Sequence, residues 1–335
     1  MNKVSRVTLV LGSLLFTLVL AEIILRAVDF ECDFYPSKVQ FGWPNPVMLE
    51  HLYEVDRQLL WVSKDYSAKI DAWRGKEPSI VFMGCSCTEV GSYDKLLKKI
   101  IDTKHPGNNF TYVNVGVGGW SSYQGLQQLK RDVVSMKPKV ITIYYGWNDH
   151  WHNFGIEDKD IGRFNLENQI LAAKLSRLRT WQLVNSFIFE LKQLGSKKKL
   201  RRSERVALAD FVSNIYDMVQ IARENDIVPV LITAPSSHVK GREPNYLSLR
   251  CLDNLGDLIP LHYRYIQAVR KVVNEYDVEL IDLALEFSKL PQADLNNLFL
   301  QDGIHLTDEG SKRVAGLMYE YFVNSGLIDR ILKED

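Results

Sequence analysis

Five short apolar segments, separated by longer stretches with helical periodicity, constrain the fold of this chain more than any other feature. Their β-branched, largely apolar character is typical of strands that are covered on both faces. The segments are residues 79–83, 111–115, 139–145, 227–233 and 278–283. Alternating strands and helices predict a parallel sheet joined by right-handed crossovers. We therefore predict an α/β fold, a three-layer α/β/α sandwich with a five-stranded parallel sheet.

A membrane-targeting segment lies at the N-terminus. An apolar run begins at Val7 and continues to Phe30, and within it Glu22 and Arg26 stand one helical turn apart. The run reaches the ~20 residues that a spanning helix needs, and its uncharged first part also fits a cleaved signal peptide. We predict an N-terminal transmembrane helix that contacts the membrane through residues 7–30, with secretion after signal cleavage as the alternative. Basic residues precede the run and acidic residues follow it, so we expect the remainder on the non-cytoplasmic side, periplasmic or extracellular.

Three parts are predicted along the chain. Residues 1–30 form the signal anchor, residues 31–76 a loop-rich approach segment, and residues 77–330 the domain that contains the sheet. Within that domain, the interval at about 151–203 is too long for a connection without structure, and its apolar residues recur at helical spacing. It predicts an inserted helical segment with one apolar side. A substrate-binding lid and an ornament packed on the core are the two interpretations.

Composition narrows the function classes. The chain has 41 Lys and Arg residues and 41 Asp and Glu residues, so no basic field indicates a nucleic-acid partner. Four cysteines in 335 residues are too few for a disulfide framework, although Cys32 and Cys251 are left as a candidate pair. We expect neither a nucleic-acid partner nor a cofactor, and the sequence leaves the oligomeric state open.

Residues of the types used in catalysis follow the predicted strands at the points where the strands end. Ser86 follows the first strand, Gly119 the second and Asn148 the third, while Asp302 and His305 come after the last. Because ligands bind at the carboxyl ends of parallel strands, we expect these residues to share one edge of the sheet.

This set of residues is complete for acyl transfer. Ser86 would attack, His305 would act as base and then as acid, and Asp302 would hold the imidazole in the useful tautomer. The backbone N–H groups of Ser86 and Gly119 and the side-chain amide of Asn148 would face the developing oxyanion.

The short motifs that contain these residues resemble the four conserved sequence blocks of the SGNH, or GDSL, hydrolase family. The resemblance covers most of residues 78–325. The matching positions are Gly84 and Ser86 in the first block, Gly119 in the second, Gly146, Asn148 and Asp149 in the third, and Asp302 and His305 in the last. The resemblance implies the flavodoxin-like SGNH hydrolase fold and ester hydrolysis. The departure is Cys85, which stands where the family usually has Asp.

Three functions follow from this pattern. The first is a serine ester hydrolase acting on an O-acyl ester, acetyl or longer, carried by a lipid, a glycan or a small molecule. The second keeps the triad as an O-acyltransferase or deacetylase acting on a cell-surface polysaccharide. The third is a catalytically inactive SGNH-fold binding protein, which only Cys85 suggests.

Two other groups of residues have alternative interpretations. Cys85 and Cys87 follow one strand and His150 and His152 another, which makes a zinc site conceivable. The one-residue spacing in both pairs is atypical of zinc, so we predict no metal and interpret the cysteines as small buried side chains. The loop after the fourth strand either selects substrate or is a surface excursion. Its candidate residues are His238, Arg242, Tyr246 and Arg250.

Overall fold

The computed structural model describes residues 3–30, 44, 48, 51–153, 157–161, 171, 174–175, 177–195, 203–245, 247, 252 and 254–332. In chain order, the strands within these residues are β1 (Tyr53–Asp56), β2 (Leu60–Ser63), β3 (Ile80–Gly84), β4 (Tyr112–Asn114), β5 (Val140–Tyr144), β6 (His152–Asn153), β7 (Ser203–Glu204), β8 (Val228–Ile232) and β9 (Glu279–Ile281).

A five-stranded sheet forms the centre of the molecule. Its spatial order is β4, β3, β5, β8 and β9, and each neighbouring pair of strands is parallel. Every residue of β3 and of β5 is buried, as expected for strands covered on both faces. The five predicted segments coincide with these five strands, so the predicted α/β class and parallel sheet are confirmed.

The α-helices within the described residues include those that cover both faces of this sheet. In chain order they are α1 (Lys3–Ala27), α2 (Tyr66–Trp73), α3 (Ser86–Glu89), α4 (Tyr93–Lys104), α5 (Ser122–Gln128), α6 (Asp158–Ile161), α7 (Arg179–Gly195), α8 (Leu208–Glu224), α9 (Leu258–Tyr276), α10 (Leu283–Ser288), α11 (Gln292–Leu298), α12 (Asp308–Asn324) and α13 (Leu327–Leu332). Helix α4 packs against α12, while α8 packs against both α5 and α9. These two helical layers complete the predicted three-layer sandwich.

Helix α1 stands apart from the sandwich. Its segment Arg6–Ala27 is long and apolar enough to cross a membrane. Large apolar side chains along it are exposed, among them Leu15 and Phe16. The N-terminal apolar helix therefore has the form expected of a membrane anchor, and its sidedness stays a prediction.

The approach segment and the insertion both contain regular structure. Strands β1 and β2 pair as an antiparallel hairpin, which α2 follows, so residues 53–73 are more ordered than the expected loop-rich segment. In the insertion, β6 pairs with β7 and joins the two ends of the segment, and α7 lies between them. Cys32 and Cys251, the candidate pair, lie outside the described residues.

Candidate active site

Ser86 stands in the turn between β3 and α3, at the carboxyl edge of the sheet. Strand β3 ends at Gly84, Cys85 continues the extended backbone, and α3 begins at Ser86. The Cys85 carbonyl accepts hydrogen bonds from the backbone N–H groups of Thr88 and Glu89, both at 2.9 Å. A Cβ at Gly84 would collide with the Thr88 side chain, so the turn requires glycine there. Backbone hydrogen bonds therefore close the turn, and the buried Cys85 thiol adds hydrogen bonds to Cys87 within it.

A continuous series of hydrogen bonds joins Ser86, His305 and Asp302. The Oγ of Ser86 lies 2.8 Å from Nε2 of His305, and Nδ1 of His305 lies 2.5 Å from Oδ2 of Asp302. The other carboxylate oxygen of Asp302 accepts from the backbone N–H groups of Ile304 and His305, both at 2.9 Å. The ionised carboxylate can only accept a hydrogen bond, so Nδ1 carries the proton that it donates to Asp302. Nε2 is then unprotonated and can accept the proton of Ser86.

The two ionisable groups of this series shift each other's pKa. Burial favours the neutral carboxyl of Asp302, but hydrogen bonds from the His305 side chain and from two backbone amides outweigh it and lower the pKa of Asp302 to about 2. The hydrogen bond with Asp302 raises the pKa of His305, although burial opposes the increase. Asp302 is therefore ionised at neutral pH and favours an imidazolium at position 305.

Two neighbouring loops carry the residues predicted as further oxyanion donors. Gly119 adopts a φ of 77°, a left-handed conformation that glycine reaches without steric cost. The backbone N–H of Val117, in the same loop, donates to the carbonyl of Gly84 at 3.2 Å. Asn148 is buried, and its amide nitrogen donates to the carbonyl of Trp120 at 3.0 Å. These hydrogen bonds bring the three loops together at one edge of the sheet, and the Asn148 amide carries a second N–H.

Asp149 holds the loop that carries Asn148. Its carboxylate accepts from the backbone N–H of Ser122 at 2.8 Å and from that of Gly146 at 3.0 Å. The side chain is buried, and burial raises its pKa to about 6 despite these hydrogen bonds. Asp149 thus joins the end of β5 to the N-terminus of α5 and restricts the position of the intervening loop.

Arg205 is a site residue that reasoning from the sequence missed. Its guanidinium donates to the carbonyl of Gly119 at 2.7 Å through Nη1. Through Nη2 it pairs at 2.7 Å with Asp158, and both side chains are fully buried. Asp158 also accepts a hydrogen bond from Ser121 at 2.6 Å. No motif distinguishes Arg205 from the basic residues shortly before it in the sequence, so no local signal pointed to this position.

The β1–β2 hairpin supports the loop that contains Gly118 and Gly119. The sequence did not predict this role of the hairpin. The indole N–H of Trp61 donates to the carbonyl of Gly118 at 3.0 Å, and that of Trp120 donates to the carbonyl of Trp61 at 2.9 Å. The hydroxyl of Tyr53 donates to Glu89, at the end of α3, at 3.1 Å. Part of the approach segment is therefore a structural component of the candidate site.

The residues of the zinc alternative have other partners. Cys85 and Cys87 are buried free thiols, and the Cys87 Sγ lies 3.8 Å from the carbonyl oxygen of Ile304. Nε2 of His150 is hydrogen-bonded at 3.0 Å to Nδ1 of His262. Among the residues that the structure describes, no group of three or more His, Cys, Asp or Glu side chains is placed to hold a metal ion. The zinc alternative has no ligand set in that part of the chain.

The loop after β8 reaches the candidate site through His238. Its Nε2 donates to the backbone carbonyl of Asp302 at 2.8 Å. Arg242 is exposed, while Tyr246 and Arg250 lie outside the described residues. Of the four loop candidates, His238 therefore contacts the loop that carries the acid and base.

Comparisons with known proteins point to one family. A model of the GDSL-like lipase/acylhydrolase family matches residues 79–313. Curated relatives include platelet-activating factor acetylhydrolase IB subunit alpha2 of Homo sapiens and of Rattus norvegicus. Each is 27% identical over 111 residues, which is 32% of this chain and 45% of the relative. This chain thus spans less than half the length of the curated relatives it matches.

Similar solved structures include two esterases. The lipase/acylhydrolase from Enterococcus faecalis is 16% identical, with a TM-score of 0.47, over 74% of this chain and 96% of that chain. The acetyl xylan esterase AlAXEase is 18% identical, with a TM-score of 0.48, over 72% of this chain and 98% of that chain.

Proposed function

Since this chain belongs to the GDSL-like lipase/acylhydrolase family, whose model matches residues 79–313, we propose that it cleaves O-acyl esters by a serine mechanism. The observation that carries the proposal is the series of hydrogen bonds from Ser86 through His305 to Asp302. In this proposal Ser86 is the nucleophile, His305 is the general base and then the general acid, and Asp302 orients the imidazole.

The first half of the reaction transfers the acyl group to the protein. As the Ser86 oxygen attacks the ester carbonyl, its proton passes to Nε2 of His305, which lies 2.8 Å away. The ionised Asp302 stabilises the imidazolium that forms. When the tetrahedral intermediate collapses, His305 gives the proton to the departing alcohol oxygen, and the acyl group remains bonded to Ser86.

Fixed donors stabilise the negative charge of the intermediate. We assign this role to the backbone N–H groups of Ser86 and Gly119 and to the side-chain amide of Asn148. Because these donors are already held in place, the developing oxyanion needs little reorganisation around it. The second half of the reaction repeats the steps with water, which His305 deprotonates as it attacks the acyl carbon.

The replacement of the family's usual Asp by Cys85 is compatible with this mechanism. The Cys85 backbone closes the turn before α3, and its buried thiol lies outside the proposed triad. The intact series of hydrogen bonds also favours an enzyme over a catalytically inactive binding protein.

We further propose that residues 1–30 anchor the chain, that residues 31–76 form the approach segment, and that residues 77–330 form the hydrolase domain on the non-cytoplasmic side. The exposed apolar surface of α1 supports the anchor. The partners are then the membrane, through residues 7–30, and an acyl ester whose alcohol is a lipid, a glycan or a small molecule.

Fluorophosphonate labelling of the full-length chain in detergent tests this proposal. We expect one adduct, located on Ser86 by mass spectrometry, because an activated serine attacks the phosphorus as it would an ester carbonyl. The adduct should be absent from Ser86→Ala and strongly reduced in His305→Ala. Ser92→Ala, which removes a serine at the start of α4, is the matched control and should label as the wild type does.

Folded protein that does not label, or that labels at another residue, would contradict the serine mechanism. In the labelled case, offering the acyl enzyme water and then a polysaccharide acceptor separates hydrolysis from O-acyl transfer. The products, a free acid or an acylated glycan, identify the acceptor.

A further inference from the structure

Among the described side chains of helix α7, large apolar ones are exposed and several polar ones are covered. The large apolar side chains that are exposed on it recur at positions i, i+1, i+4, i+5 and i+8, which lie on one face of a helix. They are Leu183, Val184, Phe187, Ile188 and Leu191, which we call the α7 stripe. Asn185 and Ser186, which lie between them, and Trp181 and Gln182, which precede them, are buried or half-buried. Three of these four residues are polar.

This orientation is the reverse of that in a helix packed on a water-soluble core. Such a helix turns its apolar stripe inward and its polar residues toward water. Phe187, in the middle of the α7 stripe, is 61% exposed. A contiguous exposed apolar stripe marks a surface that contacts a protein or a membrane. The helical spacing in the sequence predicts an apolar side for this insertion, and the α7 stripe of that side is exposed rather than packed on the core.

The start of α7 is bound to the end of α1. The carboxylate of Glu22 accepts hydrogen bonds from the backbone N–H groups of Arg179 and Thr180, at 3.1 and 2.9 Å, and from the Thr180 hydroxyl at 2.9 Å. It therefore caps the first turn of α7. Arg26, one turn further along α1, donates to the carbonyl of Arg177 at 3.0 Å. The α7 stripe consequently begins beside the charged end of the apolar run of α1.

We propose that α7 lies in the plane of the membrane interface, with the α7 stripe in contact with the lipid of the bilayer that α1 crosses. The inference rests on the proposed membrane anchor. Lipid is the favoured occupant because α7 begins where it is bound to Glu22 and Arg26 of α1, and α1 is itself an exposed apolar helix long enough to cross a bilayer. With 17 residues, α7 falls short of the ~20 that a second spanning helix needs, so it lies along the surface.

Attachment at two elements has a consequence for the catalytic domain. A single spanning helix leaves the domain free to tilt relative to the bilayer. A second helix bound in the interface restricts that tilt, and the contact through Glu22 couples it to α1. The insertion therefore sets the orientation of the domain toward the lipid surface.

Depth-dependent fluorescence quenching tests this inference in the full-length chain. The chain is reconstituted into vesicles of phosphatidylcholine and phosphatidylglycerol that contain a lipid spin-labelled near its headgroup. A fluorophore is attached to Phe187→Cys in a chain that also carries Cys32→Ser and Cys251→Ser, since Cys85 and Cys87 are buried. We expect strong quenching at position 187, at a depth of about 5–10 Å below the headgroups.

Two matched positions serve as controls. Leu285→Cys places the probe on an exposed apolar residue of α10, and Leu15→Cys places it in the middle of α1. We expect no quenching at position 285 and quenching by a deeply spin-labelled lipid at position 15. None of these readouts depends on catalytic activity.

Each outcome separates the inference from the anchor. Quenching at positions 15 and 187, but not at 285, supports it. Quenching at position 15 alone overturns the interfacial placement of α7 and leaves the anchor in place. Quenching at neither position overturns both. A probe at position 187 that is shielded from lipid spin labels and also from aqueous iodide overturns the inference, because a protein surface then covers the stripe.

Discussion

The acid–base side and the oxyanion side of the candidate site are held in place in different ways. Asp302 and His305 are three residues apart, and one oxygen of the Asp302 carboxylate binds the backbone of its own loop. Gly119, on the oxyanion side, is held instead by Arg205, which lies 86 residues away and depends on Asp158 for its own charge balance. Apart from the hydrogen bond from His238, local contacts therefore hold the acid–base side, whereas tertiary packing holds the oxyanion side.

The largest effect is expected from a change on the acid–base side. Asp302→Asn should lower kcat by about 10⁴-fold, because an amide no longer holds the productive tautomer of His305. The measurement is kcat for a short-chain aryl ester with the full-length chain. Asp308→Asn, which changes an exposed carboxylate in the first turn of α12, is the control and should leave kcat unchanged. Equal rates for the two variants would remove Asp302 from the mechanism.

On the oxyanion side, Arg205→Met should act first on stability. It leaves the buried Asp158 carboxylate without its cation and should lower the free energy of unfolding by about 3–5 kcal/mol. The exposed pair of Lys98 and Asp102 provides the control, since Lys98→Met should cost at most about 1 kcal/mol. Urea denaturation of the variants measures both changes.

The double variant Arg205→Met, Asp158→Leu separates stability from positioning. Removal of both charges should restore most of the lost stability. The carbonyl of Gly119 still lacks its donor, so kcat should remain reduced, by up to about 10²-fold, with little change in KM. A double variant with wild-type kcat would show that Arg205 has only a structural role.

The pH dependence offers a third comparison. The reaction requires neutral His305, and the hydrogen bond with Asp302 raises the pKa of His305 above 6.5. We expect kcat/KM to rise about tenfold per pH unit below that raised pKa and to level off above it. In Asp302→Asn the residual activity should have its midpoint at lower pH, and an unshifted midpoint would contradict the pairing.

Stability should change in the opposite direction over the same interval. Because the folded chain raises the pKa of His305, the protonated pair with Asp302 contributes stability fully below pH 6.5. That contribution is lost as the pH rises through the raised pKa. Denaturant titrations of the wild type and of His305→Ala across this range measure the difference.

The smallest effect is expected at Cys85. Because backbone hydrogen bonds close the turn before Ser86 and remain when the thiol's hydrogen bonds to Cys87 are lost, Cys85→Ala should change kcat by only a few-fold and should lower stability by about 1 kcal/mol. Gly84→Ala is the contrasting change, since its Cβ would collide with Thr88, and it should disrupt the turn. A large loss of kcat in Cys85→Ala would give the thiol a role that the present mechanism lacks.

Local patterns in the sequence predicted the sheet and the residues at its edge. The period of the apolar residues depends on local backbone geometry, so the five strands and their connecting helices were predictable. The residue types at the strand ends then led to the resemblance to GDSL hydrolases, which the family match confirms. These residue types predict Ser86, Asp302 and His305 as the triad without any information on the contacts between them.

Only the tertiary structure decided what holds the oxyanion loop and where α7 turns its apolar side. Arg205 and Asp158 resemble any other charged residues in the sequence, and only packing brings both into the interior beside Gly119. Likewise, helical periodicity predicts that the insertion has an apolar side, but not the direction in which that side faces. The contact that joins α7 to Glu22 of α1 likewise connects residues more than 150 positions apart. Local propensity reports on neighbours along the chain, whereas such contacts exist only once the whole chain has packed.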